Sequence, residues 1–354
     1  MRPRRRPAPL AVPLLILAAV VATACSSAGK AAAPAPTSTT RAPETTTSTA
    51  APTTTTTTTP PPPTYALTGR PAADLGIAAR AAVAVKIDNI WEARPQAGIT
   101  AADVVYEEFT EGVTRFIAVY HSTDAEVVGP VRSVRPADPV IVTPLGGVLG
   151  FSGGSPGAVA LATDTPLTLV MEDDLAVMYR RGDRLAPHNL YTSTAGLFSR
   201  VPAEVGSPRA FATFLTEGES FGGPGAVPVA SIGLDPAPYV TAGYDWDAAS
   251  GTWLRSTDGT PHMVEEGRIA PTTVIVQFTH YEFFIDDYDV QYPEVVGTGE
   301  AWIFAAGAMV PGTWHKESPG AVTNFIDSAG APVAIPPGQT WVHLVAPGSS
   351  VVTG

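Results

Sequence analysis

Two arginines three residues apart stand between prolines in GPVRSVRP (129–136), and a glycine-rich turn with a central serine, GGSPG (153–157), follows shortly after. A pair of guanidinium groups on one side of a turn can clamp a carboxylate or phosphate with two parallel hydrogen bonds. Whether Arg132 and Arg135 do so depends on the backbone. An extended chain sends them to opposite faces, whereas a turn or 3₁₀ start places both on one side. The structural alternative pairs them with acids from YEEFTEG (106–112).

The GGSPG turn matches the G-x-S-x-G pattern of a nucleophile elbow, but that motif needs a backbone N–H just after the serine. Here the next residue is Pro156, which has none. A helix start explains each position better, with Ser155 as cap and Pro156 in the first turn. Such a start gathers unpaired N–H groups that favour an anion, so Ser155 joins the arginines as a candidate ligand-binding residue. His188 and Asn189 follow a proline in RRGDRLAPHNLY (180–191), an irregular polar stretch of the kind that carries sites.

Asp88 at the end of VKIDN (85–89), with Glu107 and Glu111, supplies candidate carboxylates. Two carboxylates can serve as acid and base when their surroundings separate their pKa values. On a continuous strand Glu107 and Glu111 share a face and Glu108 points away. The sequence has no H-E-x-x-H, P-loop or dinucleotide fingerprint. No cofactor and no metal is expected.

The elements that must hold these residues follow from the rest of the chain. Four arginines, an apolar run from Leu10 to Val21, and Ala22-Thr23-Ala24 before Cys25 have the layout of a signal peptide over residues 1–24. A cysteine at that point reads as a lipobox, with acylated Cys25 anchoring the protein to membrane lipid. Cys25 is also the single cysteine of the chain, so a cysteine nucleophile and an internal disulfide are excluded. Without residues 1–24 there remain 17 Lys+Arg against 33 Asp+Glu, a formal charge of −16. That surface repels nucleic acid, and an anionic ligand must be met by a local cluster.

Residues 25–64 are Thr, Pro, Ala and Ser with little to bury, and read as a disordered stalk. A Gly/Pro-rich break near 218–233 divides the remainder into domains over 65–220 and 235–354. The first alternates strand-like runs at 81–87, 104–109, 113–121, 147–152 and 166–171 with helix-like runs at 156–164, 194–205 and 207–218, and a short helix around 135–145. The second has short strands with turn signals about every ten residues. The expected class is α+β: a mixed α/β domain, then a mostly β domain, after the stalk.

VKIDN, ARPQAGITAADVVYEEFTEGVTRFIAVYH, GPVRSVRP, GGSP and APHNLY, with TVIVQF, GTGEAWIF, GTWHK and PGQTWVHLV further on, resemble the YerB-like lipoproteins, a family catalogued as a domain of unknown function. The resemblance spans about residues 80–347 and implies an envelope lipoprotein of two domains on the outer face of the cytoplasmic membrane; it supplies no reaction. The expected function is binding of an anionic envelope component, a cell-wall glycan or peptide, by Arg132 and Arg135 with His188, Asn189 and a carboxylate nearby. The alternatives are an envelope hydrolase with Glu107 or His188 as general base, and a structural partner of a membrane protein complex.

Overall fold

The computed structural model describes residues 62–238, 240–284 and 290–354. The expected signal peptide, Cys25 and the expected stalk as far as residue 61 lie outside the described residues. Strands form where β-branched and aromatic residues run together. In the first half these are β1 (Val83–Asp88), β2 (Val104–Thr110), β3 (Val113–Tyr120), β4 (Val148–Gly150) and β5 (Thr168–Val170). Short helices accompany them: α1 (Leu75–Ala79), α2 (Asp138–Val142), α3 (Pro156–Thr163) and α4 (Thr194–Phe198). The second half contributes β6 (Ser231–Ala237), β7 (Val240–Asp247), β8 (Thr252–Thr257), β9 (Thr273–Phe278), β10 (Gly297–Ala305), β11 (Ala308–Lys316), β12 (Asn324–Asp327), β13 (Thr340–Val345) and β14 (Val351–Thr353). The class is α+β, with a mixed first half and a mostly β second half.

Strands from both halves join in one sheet, ordered β12-β11-β10-β9-β13-β2-β3-β1-β4-β5, with Val227–Pro228 paired to β11. β13 lies parallel between β9 and β2, so that Thr340 faces Thr273 on one side and Val104 on the other. The pairings make β1, β2, β4, β5, β9 and β13 all run the same way. Of these, β1, β9 and β13 are buried on both faces and accordingly read as near-continuous apolar runs. One face packs under α2, α3, Leu67 and Phe211. The other is covered by α4 and by a smaller sheet, Thr260–Pro261-β8-β7-β6-β14.

Two expected helices are corrected. Residues 207–218 are irregular. Their backbone pairs elsewhere: Phe211 N–H donates to Ala66 O (3.0 Å), Leu215 N–H to Ile335 O (2.9 Å), and Ile335 N–H to Thr213 O (2.9 Å). The reason is that Phe211 is buried against Tyr106 beneath the sheet, and this burial outweighs helix propensity. The helix expected over 194–205 closes at Phe198. Pro202 cannot donate to it and disfavours helical geometry in the residue before.

Alternation along β2 sends Glu107 and Glu108 to opposite faces, and each is fully enclosed. On the helix-covered face Lys86 Nζ donates to Glu108 Oε1 and to Asp138 Oδ1, the latter at 2.7 Å. Burial, aided by Asp138 and opposed by Lys86, pushes the Glu108 carboxyl up to about 7. On the other face Glu107 meets Arg255 of β8, at 2.9 Å. Arg255 Nη1 also donates to Tyr244 Oη, and its guanidinium carbon lies 4.6 Å from the centre of the Trp341 ring. Because the Tyr244 oxygen accepts from Arg255, its O–H donates to His343 Nε2 (2.7 Å), leaving Nδ1–H toward Glu107 Oε2 at 3.3 Å. Burial works against ionisation of Glu107, but Arg255 and His343 outweigh it and hold the carboxyl below its usual range. Burial lowers His343 to about 4, so it stays neutral.

Breaking a buried ion pair from one side leaves an uncompensated charge, at a cost of about 3–5 kcal/mol. Glu107→Gln should lower the unfolding free energy in urea by that amount, and the Glu107→Gln/Arg255→Met double variant should be less damaged than the single one. The histidine sets an acid limit. Between pH 6.5 and about 4 the unfolded chain protonates His343 and the folded chain does not, so stability falls as pH drops through that window. The shift corresponds to roughly 3 kcal/mol. Urea midpoints at pH 7 and pH 4.5 should diverge less in His343→Gln than in the parent.

Candidate functional site

The strands that run in parallel deliver Asp88, Thr110 and Gly150 to the same end of the sheet, and the loops that follow carry most of the candidate residues. In open α/β sheets, ligands bind at these carboxyl ends. Asp88 is nearly fully buried. Its Oδ2 is ion-paired with Arg132 Nε at 2.9 Å and hydrogen-bonded to His188 Nδ1 at 2.8 Å, while Oδ1 accepts from Ile90 N–H at 3.3 Å. One carboxylate oxygen thereby faces both side chains, His188 through Nδ1 and Arg132 through Nε. Neither His188 Nε2 nor the two Arg132 Nη atoms has a hydrogen bond or ion pair among the described residues. The two side chains are 16% and 22% exposed.

Arg135 behaves differently. Its side chain is buried, donating from Nε to Thr110 Oγ1 (3.2 Å), from Nη1 to Val134 O (2.9 Å) and from Nη2 to Glu111 Oε2 (2.5 Å). Glu111 Oε2 also accepts from Arg115 Nη2 at 2.8 Å. The expected two-arginine clamp is therefore corrected: the segment is extended, Val131 bridges Ile87 and Arg132 N–H donates to Lys86 O (2.9 Å), and the arginines reach separate carboxylates. Burial opposes ionisation of Glu111, but Arg115, Arg135 and Arg132 outweigh it and hold the carboxyl below its usual range. Burial and then the like charge of Arg135 lower the Arg115 guanidinium to about 10. Three cations thus face two carboxylates.

Glu111 does not share a face with Glu107 as a continuous strand would require. It occupies the first position of a two-residue turn with φ 52°, followed by Gly112 at φ 84°. Positive φ at both positions marks a type I′ hairpin turn, which favours Asn, Asp or Gly at the first. The turn ends the alternation and swings Glu111 to the arginines. Glu107 stays on the opposite face with Arg255, separate from the cluster. Ser155 caps α3, its Oγ accepting from Ala158 N–H at 3.4 Å. The preceding glycines lie against the arginine segment: Val134 N–H donates to Gly153 O (3.0 Å), and a Cβ on Gly154 would stand 2.8 Å from Val134 Cγ1. Asn189 Oδ1 accepts from Arg180 (2.9 Å), which also pairs with Glu172 (2.7 Å) on the exposed rim.

Sequence reasoning brought out Asp88, Glu111, Arg132, Arg135, Ser155, His188 and Asn189, which gather at this end of the sheet. Arg115, four residues after Glu111 in YEEFTEGVTRF, stands out in the sequence as a possible partner of these glutamates but not as a site residue, and the structure brings it to Glu111 across the Glu-Gly turn. Arg255 and His343 carry no local signal, since their partner lies far away in the chain.

A strand-end polar cluster on an α+β scaffold whose two halves share one sheet defines a class. The sequence profile described as "Protein of unknown function (DUF3048) N-terminal domain" matches residues 67–207, and that of the corresponding C-terminal domain matches residues 234–342. The chain belongs to this family. It is 27% identical over 281 residues to the Bacillus subtilis (strain 168) protein named "Putative lipoprotein YerB", covering 75% of this chain and 81% of that one. The crystal structure of YerB protein from Bacillus subtilis has the same fold, with a TM-score of 0.70 at 24% identity over 82% of this chain and 99% of that one.

The two arginines should separate in their effect on stability. Arg135→Ala strips a buried partner from Glu111 and should lower the unfolding free energy by about 2–4 kcal/mol. Arg132→Ala removes a part-exposed side chain but takes a cation from the buried Asp88 carboxylate, which keeps His188 and the Ile90 N–H, and should cost about 1–3 kcal/mol. Urea denaturation of the two variants measures the difference.

Proposed function

We propose that the protein is a membrane-tethered envelope module that binds an anionic cell-wall component at the strand-end cluster, with Arg132 and His188 as contact residues. The observation that carries this reading is the charge imbalance. Three arginines face two carboxylates on a molecule of strongly negative charge, and the cation with free donors, Arg132, is the part-exposed one. Arg135 and Arg115 set the local potential and hold Glu111. Ser155 orders the adjoining turn, and Asn189 lies on the rim beside His188. The lipobox at Cys25 and the lipoprotein description of the Bacillus relative support attachment to the outer face of the cytoplasmic membrane. The Thr/Pro stalk then serves as the spacer.

A second reading rests on the Asp88–His188 pair. A carboxylate that fixes Nδ1 leaves Nε2 as a general base, as in hydrolases that orient a histidine in this way. Glu107, the other base considered, is enclosed by Arg255, Thr114 and His343. Retention on purified wall fragments and release of soluble products distinguish binding from hydrolysis. Charge-assisted hydrogen bonds contribute about 1.5–3 kcal/mol. Arg132→Ala/His188→Ala should therefore lose retention by about tenfold or more. Unchanged retention in that double variant would overturn the proposal, and products lost in His188→Ala alone would favour the hydrolase.

A further inference from the structure

Trp91 is 75% exposed, although an indole is among the side chains that gain most from burial. It opens a 3₁₀ turn, Trp91–Ala93, directly after Ile90, whose N–H is bound by the Asp88 carboxylate at 3.3 Å. The covalent geometry from that nitrogen puts the Trp91 Cα no more than about 9 Å from the carboxylate that holds Arg132 and His188. The neighbouring wall is held by Arg184, which donates to the carbonyls of Ala93, Arg94 and Pro95 and so ties the loop before His188 to the Trp91 turn. Leu185, 86% exposed, stands on that loop, and its carbonyl accepts from His188 N–H at 2.9 Å. An exposed indole thus belongs to a turn tied to the same buried carboxylate that pairs with the part-exposed Arg132 and His188.

We infer that Trp91 is a stacking platform for a sugar ring, and that the ligand is a pyranose bearing a negative substituent which Arg132 receives; this rests on the anion-binding reading above. The apolar C–H face of a pyranose matches the face of an indole. His188 Nε2 accepts from a ring hydroxyl, and Arg132 Nη1 and Nη2 donate to the carboxylate or phosphate. A neutral sugar lacks the second contact and a free anion lacks the first, so each alone binds more weakly.

The test follows the indole N–H resonances of the whole protein during titration with N-acetylmuramic acid, with N-acetylglucosamine as neutral control and lactate as ring-less control. The Trp91 signal is identified by its disappearance in Trp91→Phe. The expected result is a shift of that signal by N-acetylmuramic acid, affinity lowered about tenfold in Trp91→Ala and largely kept in Trp91→Phe. Lactate and N-acetylglucosamine should each bind at least tenfold more weakly than N-acetylmuramic acid. Trp91→Ala that binds N-acetylmuramic acid as the parent does would overturn the stacking role and leave the anion site standing. Loss of all binding in Arg132→Ala but not in Trp91→Ala has the same meaning. If neither N-acetylmuramic acid nor lactate binds the parent protein, the inference and the anion-binding reading fall together. Because Trp91 is exposed, an unchanged unfolding midpoint in both variants verifies that the fold is intact.

Discussion

The structure depends on a charge pair sealed between two sheets. Glu107 from the first half and Arg255 from the second are fully buried, and each is committed to several partners, so neither half can move away without leaving a charge in an apolar interior. The pair works together with β13, which lies between β2 and β9 and bonds to both. Backbone pairing supplies the continuity and the ion pair supplies the register, since a one-residue slip of β13 would turn His343 away from Glu107 and Tyr244. Two sequence regions matched separately by family profiles are therefore welded at the level of hydrogen bonds.

That weld gives the candidate site its rigidity. The carboxyl ends of β1, β2 and β4 are fixed relative to one another, and the loops beyond them hold their polar residues by short, directed contacts. The arginines divide their roles accordingly. Arg135 and Arg115 are enclosed and neutralise Glu111, which sits in a backbone conformation that costs energy for a residue with a side chain. Strain of this kind survives where surroundings over-determine it, and here two guanidiniums do so. Arg132 is held by one edge and keeps the rest of its donors free.

Much of this was legible in the sequence because it was local. The Ser155 cap, the Pro156 helix start, the strands around VKIDN and YEEFTEG, and the polar stretch before His188 are short-range patterns, and they fell where the spacing placed them. The failures were those of long-range packing. Residues 207–218 have helical composition, but Phe211 is claimed by Tyr106 and the segment pairs instead with the backbone of Ala66 and Ile335. Alternation gave Glu107 and Glu111 a common face, and a two-residue turn cancelled it. The arginine pair invited a clamp because its acidic partners lie elsewhere in the chain, Asp88 at the end of β1 and Glu111 in the turn between β2 and β3. Arg255 has neighbours that no local window contains.

The central position of β13 has a consequence for how the chain must assemble. Its partner β2 lies more than 230 residues earlier. Until β13 emerges, the first half carries an unsatisfied sheet margin of five residues, Val104 to Glu108, the sort of surface on which chains stick to one another. Closure of that gap is slow in entropic terms, because so long a loop must be formed before any contact rewards it. A chain cut short before Thr340 is thus expected to aggregate rather than persist as a smaller folded body.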